Sequence, residues 1–326
     1  MFKQSLSFIA LMLVACSDAP IISGVDDKVN AARERNDAPA IWVAKDFDST
    51  LYLYGTVHLL PSDLDWQKDD MRGAFDEAGT IFFEVDTGSD GQIQAAVLTT
   101  SLGMRQDGLR LSDSLDSYQL KLLDAASHNG NISLAALDSM KPWLASEFLT
   151  VAAATNAGLS PELSADDALK SRARREQKNV IYLETIEDQI RISADQPQSI
   201  QLSLLTETLE SFNSLGDDLI NIARSWAVGR TDYLTREVVV PMKSKTPIIY
   251  DALITQRNKK WTTQFVEFLE GSGTGFAAVG TSHLLGEDSV IEMLREQGHS
   301  VSRYYAFQGE DVINPINPTI ERPETD

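Results

Sequence analysis

The chain has 326 residues, 43% of them hydrophobic and 23% charged, enough to bury a core in one large domain or two small ones. Its formal charge of −20 argues against nucleic acid as a partner and against docking on an anionic membrane by charge, because both need clustered Lys and Arg.

In chain order, residues 1–16 read MFKQSLSFIALMLVAC, with one basic residue, Lys3, ahead of an apolar run. That run is too short to span a bilayer but fits the central part of a secretory leader. Leu13-Val-Ala-Cys16 has the form of a lipobox, after which bacteria lipidate the cysteine and cleave before it. Cys16 is the only cysteine, so the chain has no internal disulfide. Ser17 rather than Asp follows it, which favours an outer-membrane anchor facing the periplasm. Residues 17–39 then read as a tether, and no later stretch is apolar enough to cross a membrane.

Residues 40–45 and 51–55 read as strands joined by a polar turn, followed by a helix over 65–78 that ends at Gly79. Thr80-Ile-Phe-Phe-Glu84 is short, aromatic and β-branched, as a buried strand should be. Residues 112–175 are helical in pattern, with Pro142 in the first turn of one helix. Asn179-Val-Ile-Tyr-Leu-Glu184 is a further strand, and 187–260 is helical again. Residues 275–280 form a strand, 289–297 a helix and 301–306 a last strand, and a loose tail begins at 314. The alternation predicts an α/β domain over 40–313. Its mixed, partly parallel central sheet is flanked by helices, and helical insertions at about 105–175 and 190–260 cover the C-terminal ends of the strands.

In such sheets ligands collect beyond the carboxyl ends of the strands. His58, Glu84, Glu184 and His283 each fall at or just past such an end. Gly55-Thr-Val-His58-Leu and Gly280-Thr-Ser-His283-Leu repeat one pattern 225 positions apart. Two neutral imidazoles and a carboxylate, here His58, His283 and Glu84, suit a divalent Zn, Mn, Co or Fe ion that activates water. Glu184 is then a second carboxylate that orients a histidine, ligates the metal or acts as general base.

These segments resemble the TraB/GumN/Tiki family. The likeness runs from about Ile41 to Tyr305 and includes Phe82-Phe-Glu84-Val-Asp86, Lys141-Pro-Trp143, Leu183-Glu-Thr185, Trp226-x-x-Gly229, Arg257-Asn-x-x-Trp261 and Val279-Gly-Thr-Ser-His283. The family is related to the erythromycin esterase and ChaN-like superfamily, and its Tiki members are described as metal-dependent proteases. The resemblance therefore implies a metal-dependent hydrolase of peptides, amides or another small-molecule substrate, with His58, Glu84 and His283 as the residues its activity needs. It also implies two alternatives: a metal-independent hydrolase of the erythromycin-esterase kind, or a lipoprotein that binds haem or metal without turnover. In one departure, Asn179-Val-Ile-Tyr182 replaces the family's glycine-rich lead into the Leu-Glu-Thr strand.

Other residues receive plainer readings. Arg257 either clamps a substrate carboxylate or oxyanion, or forms a structural salt bridge. Asp86 reads as a cap on the next segment, and Asp166 and Asp167 read as caps of a helical run. Trp143, Trp226 and Trp261 read as core. His128 and His299 receive no role, and Ser282 lacks the flanking pattern of a nucleophile elbow.

Overall fold

The structure, a computed structural model, describes residues 38–305. The leader, Cys16, most of the tether, the last predicted domain residues (306–313) and the tail from 314 lie outside them.

Six strands build the main sheet: β1 (Ile41–Lys45), β2 (Ser49–Thr56), β4 (Thr80–Phe83), β6 (Asn179–Tyr182), β7 (Gly273–Gly280) and β8 (Ser300–Arg303), in the spatial order β6-β4-β7-β2-β1-β8. β7 pairs in parallel with β2 and β4, and β4 with β6, whereas β1 runs antiparallel to both β2 and β8. The expected mixed, partly parallel sheet is therefore present. Strands covered by helices on both faces need continuous apolar runs. Leu51, Tyr52, Leu53 and Tyr54 of β2 and Phe276 to Val279 of β7 supply them, each buried. On one face, Phe82 of β4 packs edge-on against Phe265 and Phe268 of the helix Gln256–Leu269, at 5.5 and 5.3 Å between ring centres. On the other, Phe276 meets Phe75 of the helix Asp69–Glu77 at 5.4 Å. Each such buried ring contributes on the order of 1.5–3 kcal/mol.

Between these core elements the chain makes two helical excursions, one before β6 and one before β7. Two of their members, Pro142–Asn156 and Gln198–Ala227, pack closely together. A Cβ at Gly216 would lie 2.5 Å from that of Ala157, so only glycine permits this approach. Trp226, near the end of the longer helix, donates its indole N–H to the carbonyl of Gly55 at 2.7 Å and so fixes that helix to the exit of β2.

Several boundaries differ from the sequence reading. The helix expected at 65 starts at Asp69, because Trp66 is drawn instead into an aromatic cluster with Tyr54 and Trp226 (6.3 and 5.7 Å). The first helical stretch is interrupted by β5 (Leu159–Ser160), which pairs with β3 (Leu60–Pro61). Two-residue strands are too short to show any periodicity. The second stretch runs on to Leu269, and the helix after residue 164 is capped by neither aspartate. Ser164 accepts from the amide of Asp167, which frees both acidic side chains for other partners.

Candidate functional site

The four parallel strands β6, β4, β7 and β2 end at one edge of the sheet, so the residues just beyond them stand in a row. Glu184, Glu84, His283 and His58 follow one another in that spatial order. The two repeated segments lie side by side in the parallel β2–β7 pairing, with Thr56 opposite Gly280. Gly55 is essential to this juxtaposition: a Cβ there would meet Thr281 Oγ1 at 2.6 Å and its Cα at 3.0 Å.

Arg257, in the first turn of the helix Gln256–Leu269, ties three of the four together. Its Nη2 donates to Glu84 Oε2 at 2.6 Å and to Glu184 Oε1 at 2.7 Å, and its Nε to Glu184 Oε2 at 3.0 Å. Nη1 donates to the carbonyl of Leu253 and to His283 Nε2, both at 3.0 Å. A guanidinium has five N–H groups, and these five bonds use all of them. The π-type turn Asp251–Thr255 immediately before the helix presents the Leu253 carbonyl. Glu84 Oε1 accepts from the amide of Gly280 at 2.6 Å, and Gln189 Nε2 bridges Glu84 and Glu184 at 3.1 and 3.3 Å.

The tautomer of His283 follows from its neighbours. Asn258 donates its amide to the carbonyls of Asp288 and His283 at 2.7 and 3.3 Å, so its Oδ1 is left to accept from His283 Nδ1–H at 2.6 Å. Nε2 is then the acceptor that Arg257 meets. Burial, and next the positive charge of Arg257, hold the His283 pKa well below its usual value, so the ring is neutral. Trp261 backs both groups, 4.4 Å from the imidazole and 4.5 Å from the guanidinium carbon.

His58 belongs to a second unit. Its Nδ1 lies 2.7 Å from Asp166 Oδ2, and Thr56 Oγ1 donates to Asp166 Oδ1 at 2.9 Å. The His58 side chain is 19% exposed, whereas His283 is fully buried, so His58 is the more open imidazole. Burial opposes a charged His58, but Asp166 and then Glu84 outweigh it and raise its pKa. The two carboxylates on Arg257 diverge. Burial alone would push Glu84 up, yet Arg257, the imidazoles and the Gly280 N–H hold it down at about 2. Burial of Glu184 prevails over Arg257, with Glu84 adding to the rise, so its pKa lies above the usual value. One guanidinium shared by two buried acids leaves the second only partly compensated.

The model of the TraB/PrgY/gumN family matches residues 40–303, most of the chain. The chain belongs to this family. The uncharacterized protein YbaP of Escherichia coli (strain K12) is 24% identical over 257 residues, covering 79% of this chain and 92% of its own length. YbaP of Shigella flexneri is 28% identical over 185 residues, covering 57% and 68% respectively. No solved structure matches the chain.

In this TraB/PrgY/gumN member the matching segments have visible tasks. Lys141-Pro-Trp143 opens the helix Pro142–Asn156, with proline at its first position and Trp143 buried beneath. Arg257-Asn-x-x-Trp261 supplies the guanidinium, the amide that orients His283 and the ring behind both. Asp86 accepts from the amide of Gly88, from Tyr182 and from Arg174, so it orders the turn after β4 beside the main row. His128 is exposed at the end of the helix Ser117–Asn129, and His299 lies before β8, both away from the site.

Two imidazoles and a carboxylate are chemically suited to a divalent cation, but the expected donors are already engaged. Arg257 occupies Glu84 Oε2 and His283 Nε2, and Gly280 occupies Glu84 Oε1. Among the described residues no three His, Cys, Asp or Glu side chains converge to hold an ion. As arranged, the residues do not fit a metal. Nor does Arg257 have an N–H left over for a substrate.

Asp166, Asn258 and Gln189 complete the site; the sequence reads Asp166 as a helix cap and Asn258 only as part of the Arg257-Asn-x-x-Trp261 segment, and it does not mark Gln189. For Asp166 a signal exists: Ser164 is the better cap, and recognising it would have released the aspartate for His58.

Proposed function

We propose that the domain is a hydrolase of ester or amide bonds in which His58, oriented by Asp166, is the general base. The observation that carries this reading is the 2.7 Å contact between His58 Nδ1 and Asp166 Oδ2 at the open end of the row, which leaves Nε2 for a water. His58 takes one proton from that water as its oxygen bonds to the substrate carbonyl carbon. Glu84, ionised near neutral pH, stabilises the imidazolium that forms. His58 then gives that proton to the departing nitrogen or oxygen as the carbonyl bond breaks, while Glu184, gripped by Arg257 through both its oxygens, holds that cation beside Glu84. Arg257 and neutral His283 hold the two acids in place and touch no reacting atom.

A metal-dependent route, with Zn, Mn, Co or Fe on His58, Glu84 and His283, is favoured by one observation: these three side chains lie within mutual electrostatic reach. It requires Arg257 to withdraw from Glu84 and His283. The proposal also includes a lipid anchor at Cys16 in the cell envelope, to be checked by mass spectrometry of the mature N-terminus.

The test is hydrolysis of a peptide, amide and ester panel by wild type and His58→Ala, with elemental analysis of both. Turnover that falls at least about a hundredfold in His58→Ala, with the thermal midpoint retained and no metal in wild type, supports the metal-free dyad. Near-stoichiometric metal that vanishes in His58→Ala/His283→Ala replaces it with the metal route. Absence of turnover on the whole panel overturns the hydrolase reading.

A further inference from the structure

Beside His58 lies a cavity of about 40 Å³ that the chemistry above does not use. Its walls are apolar: Leu219, Ile222 and Ala223 from the helix Gln198–Ala227, and Val238 from the π-type turn Thr235–Val239. Polar residues stand only toward the strand exits, where Thr56 and His58 after β2 and Thr281 and Ser282 after β7 line it. All four wall residues are buried by protein, so the void is part of the folded interior and opens toward the proposed general base.

We infer that this cavity is the specificity pocket of the site, accepting a short branched aliphatic group next to the bond that is cut. The inference rests on the hydrolase reading for the word cut, but the binding of an aliphatic group does not. Size selects the class. One water needs roughly 10–15 Å³ by this measure, and a cavity of about 150 Å³ is what benzene occupies. The space therefore suits a branch of three or four carbons and excludes an aromatic ring. Chemistry selects it too. Apolar walls offer a water few partners, so displacing water with methyl groups is favourable, by about fourfold in affinity per methylene. A charged side chain would find no counter-ion among these walls. The walls come from the helix that Trp226 pins to Gly55, so the pocket is held at a fixed distance from His58.

The test uses non-hydrolysed amides on the full chain, read by the NMR shifts of the His58 ring. Isovaleramide should bind at least about tenfold more tightly than acetamide, and phenylacetamide should not bind. Ala223→Leu, which fills the pocket away from the dyad, should remove the isovaleramide preference while acetamide binding is unchanged. Leu219→Ala should admit phenylacetamide. Equal binding of acetamide and isovaleramide by wild type overturns the proposal, even if neither variant folds. Selective binding without turnover of any ester or amide keeps the pocket and rejects the hydrolase. Turnover indifferent to the aliphatic group, with equal amide binding, keeps the hydrolase and rejects the pocket.

Discussion

Nδ1 of His58 sits 2.7 Å from Oδ2 of Asp166, joining the exit of β2 to the first turn of the helix Ala165–Arg175. Thr56, two residues before the histidine, donates to the other oxygen of the same carboxylate. One strand end thus sets both the imidazole and the acid that orients it. That arrangement fixes the imidazole by covalent geometry on one side and by hydrogen bonding on the other.

Asp166→Asn keeps the shape of this contact and removes its charge. Burial already opposes a charged His58, so without Asp166 its pKa should fall. The acid limb of the rate profile, above 6.5 in wild type, should move to lower pH, with kcat reduced by about a hundredfold or more. An NMR titration of His58 checks the shift directly, and an unmoved titration would rule out the dyad.

Arg257→Met should destabilise the fold by about 3–5 kcal/mol, because it leaves two carboxylates buried without their cation. Lysine should recover only part of this, since a point charge cannot reproduce five directed bonds. Adding Glu84→Gln and Glu184→Gln to Arg257→Met should restore much of the loss. Urea unfolding of the four proteins measures it, and an Arg257→Met midpoint equal to wild type would refute the hub.

Glu84 gives a pH dependence with a definite sign. Its folded pKa, about 2, lies below the ordinary 4.5, so the ionised form stabilises the native state. This contribution is complete above pH 4.5 and is lost as pH falls toward 2. Glu84→Gln should therefore be less stable at pH 7 and show a shallower decline across that window. Unfolding free energies at pH 7, 4 and 3 test it; parallel curves for the two proteins would contradict the assignment.

Gly55→Ala should cost about 1–3 kcal/mol and disturb the row of site residues, since the new methyl group overlaps Thr281. Thr281→Ala removes the nearer atom and should rescue part of the loss in the double mutant. The coupling energy from a thermal-unfolding cycle reports it, and strict additivity would show that the two segments do not touch.

Much of this site can be read in the sequence because strand ends are chemically marked. Aromatic and β-branched runs locate β4 and β7, and Glu84 and His283 follow them directly. What could not be read depends on partners distant in sequence. Arg257 was open between clamp and salt bridge because nothing local says that Glu84, Glu184 and His283 would claim all its donors. Asp166 sits where a helix cap is expected, and only the prior claim of Ser164 on that task frees it. The β3–β5 pair was invisible because two residues carry no period. The antiparallel direction of β1 was not specified either, although the short polar turn before β2 is what a hairpin requires.

The position of β7 governs when the site can exist. This strand is drawn from the last part of the chain, yet it lies between β2 and β4. Until it inserts, Glu84 and His58 belong to strands with no shared edge, and His283 and Arg257 have not joined them. Helices depend on local contacts and can form early, but every group of the row waits for one strand, late in sequence, to enter the middle of the sheet. A chain cut before residue 273 would retain His58, Glu84, Glu184 and Arg257 yet lack both His283 and the strand that brings the first two to one edge, so possession of most of the side chains would not amount to possession of the site.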